Sequence, residues 1–554
     1  MMDHFTTNIP IMDDNITRLL KCQCMDPSSP LYGTVADFFK GFSESSTGIC
    51  SAYITAYYTP QSTYYHNPML LDRAIPAMEY QLAHQHEDGT IDLLETNFHD
   101  STSNAFSIQG LGPAFQILRR FTEHTEPETR LEKLVLQYMK ASADAMVKCG
   151  FHTPNHRWVV SSALSLCYNL IGDPRYLAHI QKFLNEGIDC DENGEYTERS
   201  AGTYNIICNR SLIFLADELD MPELYEPVTR NLYMVMKYME PDETICTMNS
   251  TRQDVGTDPS WSIYYENYLY MAVATQNPEF AWMADKLQQQ NLGRWASDPS
   301  AAAGYTGYFY KFLLDPVFVQ RMLDTPVRKP DFTCEKYYEE SGIVRKRTGD
   351  YSLTLIKDRP IFAKLQYRNH RLFFRFAGSF FGTMGQFRAQ EIIPIRDGYR
   401  LHYHTRQGYR RPFEEKPSTW KWKEMDHSKR ETVCVQQFDV RIDFRFRDNN
   451  LVVDLLANGC ENVPVKLELL LPPGGVYSTS DTGLFSAPGN YVFLKQGSCE
   501  YLFPDHSGFR IQGGFYAHRY GGTMRGSIGG DPNSFLIAMT GFTPVQQQII
   551  ITAE

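Results

Sequence analysis

Thr325-Pro326-Val327-Arg328-Lys329-Pro330 divides this chain of 554 residues into halves of different periodicity. Proline has no N–H to donate and pushes its preceding residue out of the helical region, so the stretch ends a helical run. Before it, apolar residues recur at helical spacing, as in Leu71, Ile75, Met78 and Leu82, or Leu131, Leu134, Val135, Tyr138, Ser142, Ala145 and Met146 ahead of Gly150. Asp173-Pro174 reads as an N-cap followed by a first-turn proline. Further helices are expected near 103–122, 157–170, 204–219, 222–239, 261–275 and 278–291. Antiparallel helices in this number do not share one bundle core, and no internal repeat points to a solenoid, so the economical packing is an (α/α) toroid, an incomplete barrel of helical hairpins.

After the joint the pattern shortens to alternating runs bounded by glycine, asparagine and proline. Ser352–Ile356, Arg371–Phe376, Val433–Phe446, Leu451–Leu456, Val465–Leu471 and Phe535–Met539 read as strands, with Asp448-Asn449-Asn450 as a hairpin turn. Many strands without intervening helices imply an antiparallel β-sandwich. The expected fold class is therefore α+β multidomain: a toroid over residues 1–325, a linker over 326–335 and a sandwich over 336–554.

Composition narrows the function. A hydrophobic content of 42% supports more than one core. The 34 Tyr and 34 Phe suit sugar-binding clefts or aromatic-rich cores. A net charge of −12 argues against a nucleic-acid surface, which needs clustered Lys and Arg, so an anionic substrate must meet a local basic patch. Arg368, Arg371, Arg375, Arg388, Arg406, Arg410 and Arg411 offer one, or else the solvated face of a sheet. The start, Met1-Met2-Asp3-His4-Phe5, lacks a basic segment followed by an apolar one, and no run approaches the roughly 18 apolar residues that cross a bilayer. The twelve cysteines are scattered, without disulfide-scaffold or zinc-ribbon spacing. A cytoplasmic location is expected, the alternative being a periplasmic or secreted protein after removal of a signal peptide. No membrane partner is expected, and a homodimer is compatible with this reading.

Two polar segments in the helical half carry chemistry. Asn155 and His156 precede the apolar run Trp158-Val159-Val160, near a helix N-terminus whose free N–H groups and dipole favour an anion; they read as a carboxylate clamp or as an ordinary helix cap. Gly194-Glu195-Tyr196-Thr197-Glu198-Arg199-Ser200-Ala201-Gly202-Thr203-Tyr204 then opens another helix. Tyr204 is the candidate for proton transfer, Tyr196 the fallback, and core packing the alternative for both. An ordinary phenol titrates near about 10, so a basic role calls for cations beside it, such as Arg199, Arg210 or a protonated histidine. These groups match one reaction. A 4-linked uronic acid is cleaved by removing its C5 proton and expelling the C4 oxygen, which requires donors that neutralise the carboxylate as charge develops, and a group that moves the proton.

The chain thus resembles the heparinase II/III-like and alginate-lyase-like polysaccharide lyases, a group with a helical toroid followed by β-sheets that includes enzymes acting on rhamnose-capped glucuronate. The motif resemblance is an Asn-His step at a helix start and, some fifty residues on, a Gly-x-Tyr-x-Glu-x-Ser-x-x-x-Tyr-like segment. By that resemblance Asn155 and His156 neutralise the uronate carboxylate, Tyr204 is the acid and also a candidate base, and the partner is a uronate-containing oligo- or polysaccharide. The group's Gly-His-x-His-x-Asp-like strand does not occur here; His370 is the nearest substitute and the fourth catalytic candidate. Glu198, Arg199, Arg252, Gln253, His99 and Asn104 are candidates for holding the sugar, with loop and helix capping the alternative for the last four. No metal or other cofactor is expected. His402 and His404 share one strand face and would suit zinc beside a carboxylate, but a structural zinc or calcium in the β-domain is not what the sequence predicts. Competing readings are a toroidal glycoside hydrolase using paired carboxylates from Asp100, Glu198, Asp254 and Glu266, and a non-catalytic carbohydrate-binding protein.

Overall fold

The computed structural model describes residues 1–35, 43–94, 96–121, 123–150, 152–297, 309–382, 384–447, 450–521 and 524–554. Two compact units are present, one of Met1–Met239 with Thr244–Asp331 and the other of Glu240–Glu243 with Phe332–Glu554.

The first unit holds, among the described residues, α1 (His4–Cys22), α2 (Ser43–Tyr57), α3 (Pro68–Ala83), α4 (Thr102–Arg119), α5 (Glu126–Lys148), α6 (Pro154–Ile171), α7 (Pro174–Asn185), α8 (Tyr204–Leu219), α9 (Tyr225–Tyr238), α10 (Tyr265–Thr275), α11 (Pro278–Ser297), α12 (Tyr310–Leu314) and α13 (Phe318–Asp324). Local chemistry sets their ends. The Asp173 carboxylate accepts the Arg175 N–H at 2.9 Å ahead of Pro174, and the Glu128 carboxylate reaches back to the Thr125 N–H at 2.7 Å. Gly150 has φ 131°, and a Cβ there would lie 2.6 Å from Ser101 Oγ, so the loop after α5 passes too close for any side chain. Consecutive helices pair as hairpins: α2, α4, α6, α8 and α10 pack on one another as an inner series, while α3, α5, α7, α9 and α11 back them. α1 touches both α2 and α11 and so bridges the ring; His4 binds the Tyr265 hydroxyl at 2.9 Å and Asp285 at 2.8 Å. Because the hairpins alternate in direction, the N-termini of the inner helices lie at one rim. A short hairpin of β1 (Ile91–Leu93) and β2 (Asn97–Asp100) precedes α4 at that rim, an element the helical periodicity did not announce.

The second unit comprises β3 (Cys334–Tyr338), β4 (Ile343–Thr348), β5 (Tyr351–Ile356), β6 (Ile361–Tyr367), β7 (His370–Gly378), β8 (Glu391–Ile395), β9 (Gly398–Arg410), β10 (Thr432–Arg447), β11 (Asn450–Gly459), β12 (Pro464–Leu471), β13 (Val476–Ser478), β14 (Gly483–Phe485), β15 (Tyr491–Phe493), β16 (Gly497–Leu502), β17 (Gly508–Gly514), β18 (Phe535–Phe542) and β19 (Val545–Ala553). One sheet runs β15-β18-β12-β7-β6-β5-β4-β3 and the other β14-β13-β16-β17-β19-β11-β10-β9-β8, antiparallel apart from the β15–β18 pair. Alternate residues of both meet in one apolar core, where Phe374 of the first sheet stands edge-on to Phe444 of the second with ring centroids 5.5 Å apart. This is a β-sandwich. β10 and β11 form the expected hairpin, pairing Arg447 with Asn450, and Asp448 and Asn449 of its turn lie outside the described residues.

Glu240 shows why Glu240–Glu243, which follow α9 in sequence, belong with the strands. Its carboxylate is fully buried between Arg345 at 2.9 Å and Lys364 at 3.0 Å and accepts the Ser352 hydroxyl. Burial alone would raise its proton affinity, but the two cations carry it well below the usual carboxylate range. No helix among the described residues is long and apolar enough to cross a membrane, and all twelve cysteines are free thiols.

Candidate active site

At the rim of the first unit, α6 begins one turn earlier than the apolar run announces. Thr153 is its N-cap and Pro154 its first residue, so Asn155 and His156 lie inside the first turn and Asn155 is not the cap. Asn155 is 1% exposed, and its Nδ2 donates to Glu198 Oε2 at 2.8 Å. Its Oδ1 and the Nδ1 of His156 are buried without a hydrogen-bond partner. The base of α6 is pinned by Asp189, which pairs with Arg157 at 3.1 Å and accepts the Trp158 indole N–H at 2.8 Å. Burial holds the His156 imidazole below its ordinary proton affinity; the nearby Asp100 charge opposes this and the Arg252 charge adds to it. Phe106 of α4 stands edge-on to the ring, with centroids 6.3 Å apart.

Glu198 connects this helix start to the next one. Burial raises its proton affinity, against the Asn155 amide and the Arg252 guanidinium, whose Nε lies 3.5 Å from Glu198 Oε1. Arg252 in turn stands over the ring of Tyr204, 4.8 Å from its centroid, and donates from Nη2 to the phenol oxygen at 3.4 Å; Gln253 Nε2 donates to the same oxygen at 2.9 Å. Tyr204 is the first residue of α8, held by its N–H on Ser200 Oγ at 3.1 Å. The loop carrying Arg252 and Gln253 is laced to the one leading into α8. Thr251 donates to the Glu198 carbonyl from Oγ1 at 2.9 Å, Tyr264 donates to the Ala201 carbonyl at 2.6 Å, and Asp254 accepts the Gly202 N–H at 2.9 Å and the Ser250 hydroxyl. Residue 202 must be glycine for this seam to close, because a Cβ would sit 2.7 Å from Asp254 Oδ2.

The structure thus brings together Asn155, His156, Glu198, Tyr204, Arg252 and Gln253. It places the remaining candidates differently. Tyr196 is buried and donates its phenol proton to Asn209 at 2.9 Å. Arg199 occupies a left-handed turn position, φ 52°, and Arg210 faces Glu266 at 3.7 Å, so the cation over Tyr204 is Arg252. Asn104 is fully buried, its amide taken by the Gly89 carbonyl at 2.7 Å and the Tyr138 hydroxyl at 2.9 Å. His99 stands on β2 between Asp88 at 2.9 Å and a stacked His86, ring centroids 3.9 Å apart. His370, in the second unit, hydrogen-bonds Asp505 at 2.9 Å and stacks on Phe503 at 3.8 Å. His402 and His404 do meet a carboxylate, Asp439, at 2.8 and 3.5 Å, but its other oxygen pairs with Arg441 at 2.9 Å. Among the described residues no group of three His, Cys, Asp or Glu is arranged to hold a metal. Of the arginines read as a patch, Arg368, Arg371, Arg375 and Arg411 pair with Asp350, Asp242, Glu468 and Glu431. Phe106 carries no signal in the sequence, since an apolar helix residue gives none until its neighbours are known; Asp254, expected from sequence as a candidate hydrolase carboxylate, instead accepts the Gly202 N–H.

No protein-family model and no curated protein matches the sequence. Solved structures do. A xanthan lyase from Paenibacillus aligns with 99% of this chain at 10% identity and a TM-score of 0.55, the chain spanning 57% of that enzyme's length. The chondroitin AC lyase of Streptomyces coelicolor A3, in complex with chondroitin sulphate, aligns with 99% of this chain at 10% identity and a TM-score of 0.51, and 79% of that enzyme is covered. The fold is that of these two lyases. In this fold the six residues above stand at the rim where the inner helices of the toroid begin.

Proposed function

We propose that the protein is a polysaccharide lyase that cleaves a 4-linked uronic acid by β-elimination, leaving a C4–C5 double bond. The observation that carries this reading is a continuous line of contacts from the start of α6 to a phenol: Asn155 to Glu198, Glu198 to Arg252, and Arg252 with Gln253 to Tyr204. In this reading the second N–H of the Asn155 amide and the neutral imidazole of His156 meet the sugar carboxylate, with the α6 dipole behind them. Tyr204 moves the proton. The C5–H bond breaks, its electron pair delocalises into the neutralised carboxylate and then forms the double bond, and the C4–O bond breaks with the proton delivered to the departing oxygen. Negative charge on the phenol oxygen during this transfer is met by two donors. That the same fold serves a xanthan lyase and a chondroitin AC lyase adds support for a glycan substrate.

The geometry counts against paired-carboxylate hydrolysis. Asp100 accepts the N–H groups of Thr102 and Ser103, Asp254 is taken up by Gly202 and Ser250, and Glu266 is buried beside Arg210. Of the four, Glu198 makes the direct contacts to the Asn155 amide and the Arg252 guanidinium. A panel of uronate-containing oligosaccharides incubated with the protein and followed by ultraviolet absorbance tests the proposal. Elimination creates a conjugated chromophore, and new reducing ends without it would overturn the lyase reading in favour of hydrolysis.

A further inference from the structure

The connection from β9 to β10 is a surface arm with a composition unlike the rest of the chain. Its strands end with Arg410 opposite Thr432, and the segment between them carries Trp420 and Trp422, which are 86% and 64% exposed. Tyr409, at the end of β9, is 64% exposed. The arm has an internal framework. The Arg430 guanidinium donates to the carbonyls of Arg411 at 2.6 Å and Arg410 at 3.0 Å, and lies 5.4 Å from the Trp422 ring centroid and 5.5 Å from that of Phe413. His427 hydrogen-bonds the Trp422 carbonyl at 2.9 Å. Residues 406–430 contain eight Lys and Arg against four Asp and Glu, in a chain whose net charge is −12.

We propose that this arm is a second, non-catalytic binding site for an anionic polysaccharide. The identity of that polyanion rests on the lyase reading above. Indole and phenol faces stack on the apolar C–H faces of pyranose rings, and Lys423, with Lys421, which exchanges its 3.0 Å pairing with Glu424, meets carboxylates spaced along the polysaccharide. The alternation Trp420-Lys421-Trp422-Lys423 supplies both chemistries in four residues. A docking site for a second copy fits less well: exposed aromatics and arginine are common at protein interfaces, but lysine is depleted there, and here lysines alternate with the exposed rings. Such an arm holds a long substrate near the enzyme by raising its effective concentration, without touching the reacting sugar.

The test uses the full chain in a Tyr204→Phe background, so that the probe is not degraded, with affinity electrophoresis in gels containing alginate, neutral dextran or a single-stranded oligonucleotide. Alginate is expected to retard the protein, with dextran having no effect and the oligonucleotide a weaker one. The double variant Trp420→Ala/Trp422→Ala should weaken the alginate Kd at least fivefold, and Lys421→Glu/Lys423→Glu should do so as well, while kcat on a short oligosaccharide in the Tyr204 background stays unchanged. Equal retardation of variants and parent overturns the proposal, as does no retardation by alginate, equal loss on dextran, or tighter binding to the oligonucleotide. Sedimentation velocity supplies the remaining outcome: a dimer that the Trp variant dissociates, with alginate affinity intact, makes the arm a self-association surface instead. Retardation is independent of turnover, so alginate binding without an ultraviolet product from any uronate substrate overturns the lyase reading and leaves the arm's binding standing.

Discussion

Asn155 and Tyr204 divide the proposed reaction between them, and substitutions at each are expected to fail differently. Tyr204→Phe removes the proton carrier and should lower kcat by roughly two to four orders of magnitude, with oligosaccharide binding retained in calorimetry; full activity would dismiss the phenol from the mechanism. Asn155→Ala should reduce kcat more than it raises KM, because carboxylate neutralisation matters most as charge develops. Glu198 acts through its neighbours. Glu198→Gln keeps an oxygen to accept the Asn155 amide and should retain much of the activity, whereas Glu198→Ala releases the amide and should approach the Asn155→Ala rate; equal rates for the two variants would remove its orienting role. His156 should titrate below the ordinary 6.5 when followed by NMR, and Arg252→Ala should move that midpoint upward, since burial and then the Arg252 charge oppose its protonation. All six of these residues are legible individually in the sequence. The sequence offers Arg252 and Gln253 to the sugar and Arg199, Arg210 or a protonated histidine as the phenol's cation, because nothing local tells which of several loops folds over which side chain.

Between elements, the decisive feature is the seam joining the loop before α8 to the loop that carries Arg252 and Gln253. Its hydrogen bonds cross some fifty residues of sequence, from Gly202 to Asp254 and from Thr251 to Glu198. Gly202→Ala would drive a Cβ into the Asp254 carboxylate. Overpacking of this kind typically costs about 1–3 kcal/mol, and a lower melting temperature together with impaired kcat is the expected result. Unchanged activity would show that the seam need not hold Arg252 over Tyr204. Helices with strong punctuation were the easiest to read: α7 opens at the Asp173-Pro174 step, and α8 spans the expected 204–219. The start of α6 lies three residues before the expected 157–170 because Asn155 and His156 are polar and Pro154 is a first-turn residue outside the apolar face, and periodicity sees only that face. The β1–β2 hairpin escaped notice for the same reason; with so few apolar positions it has no period to detect.

At the scale of the whole molecule, the chain folds as two units whose contents do not follow sequence order, since Glu240–Glu243 belong with the strands. Glu240→Gln would leave Arg345 and Lys364 buried without their counter-charge, and breaking such a cluster typically costs about 3–5 kcal/mol, to be read from denaturant unfolding of the full chain. Because the fold depresses the proton affinity of Glu240 below its ordinary 4.5, its contribution is complete above that pH and is lost as the pH falls further. The wild-type protein should therefore lose stability with acid more steeply below about 4.5 than the Glu240→Gln variant does, and parallel curves would exclude this group. The fold class was open to reading because it depends on periodicity: a spacing of three to four residues before Thr325 and of two after Pro330 dictates which faces must be buried, and hence a ring of helices followed by stacked sheets. The chemistry of the candidate site was legible only as a set of residue types. Which amide faces Glu198, which guanidinium covers Tyr204 and which glutamate pairs with Arg345 and Lys364 were decided by tertiary structure, because each depends on contacts between segments far apart in sequence, and short-range patterns carry no record of them.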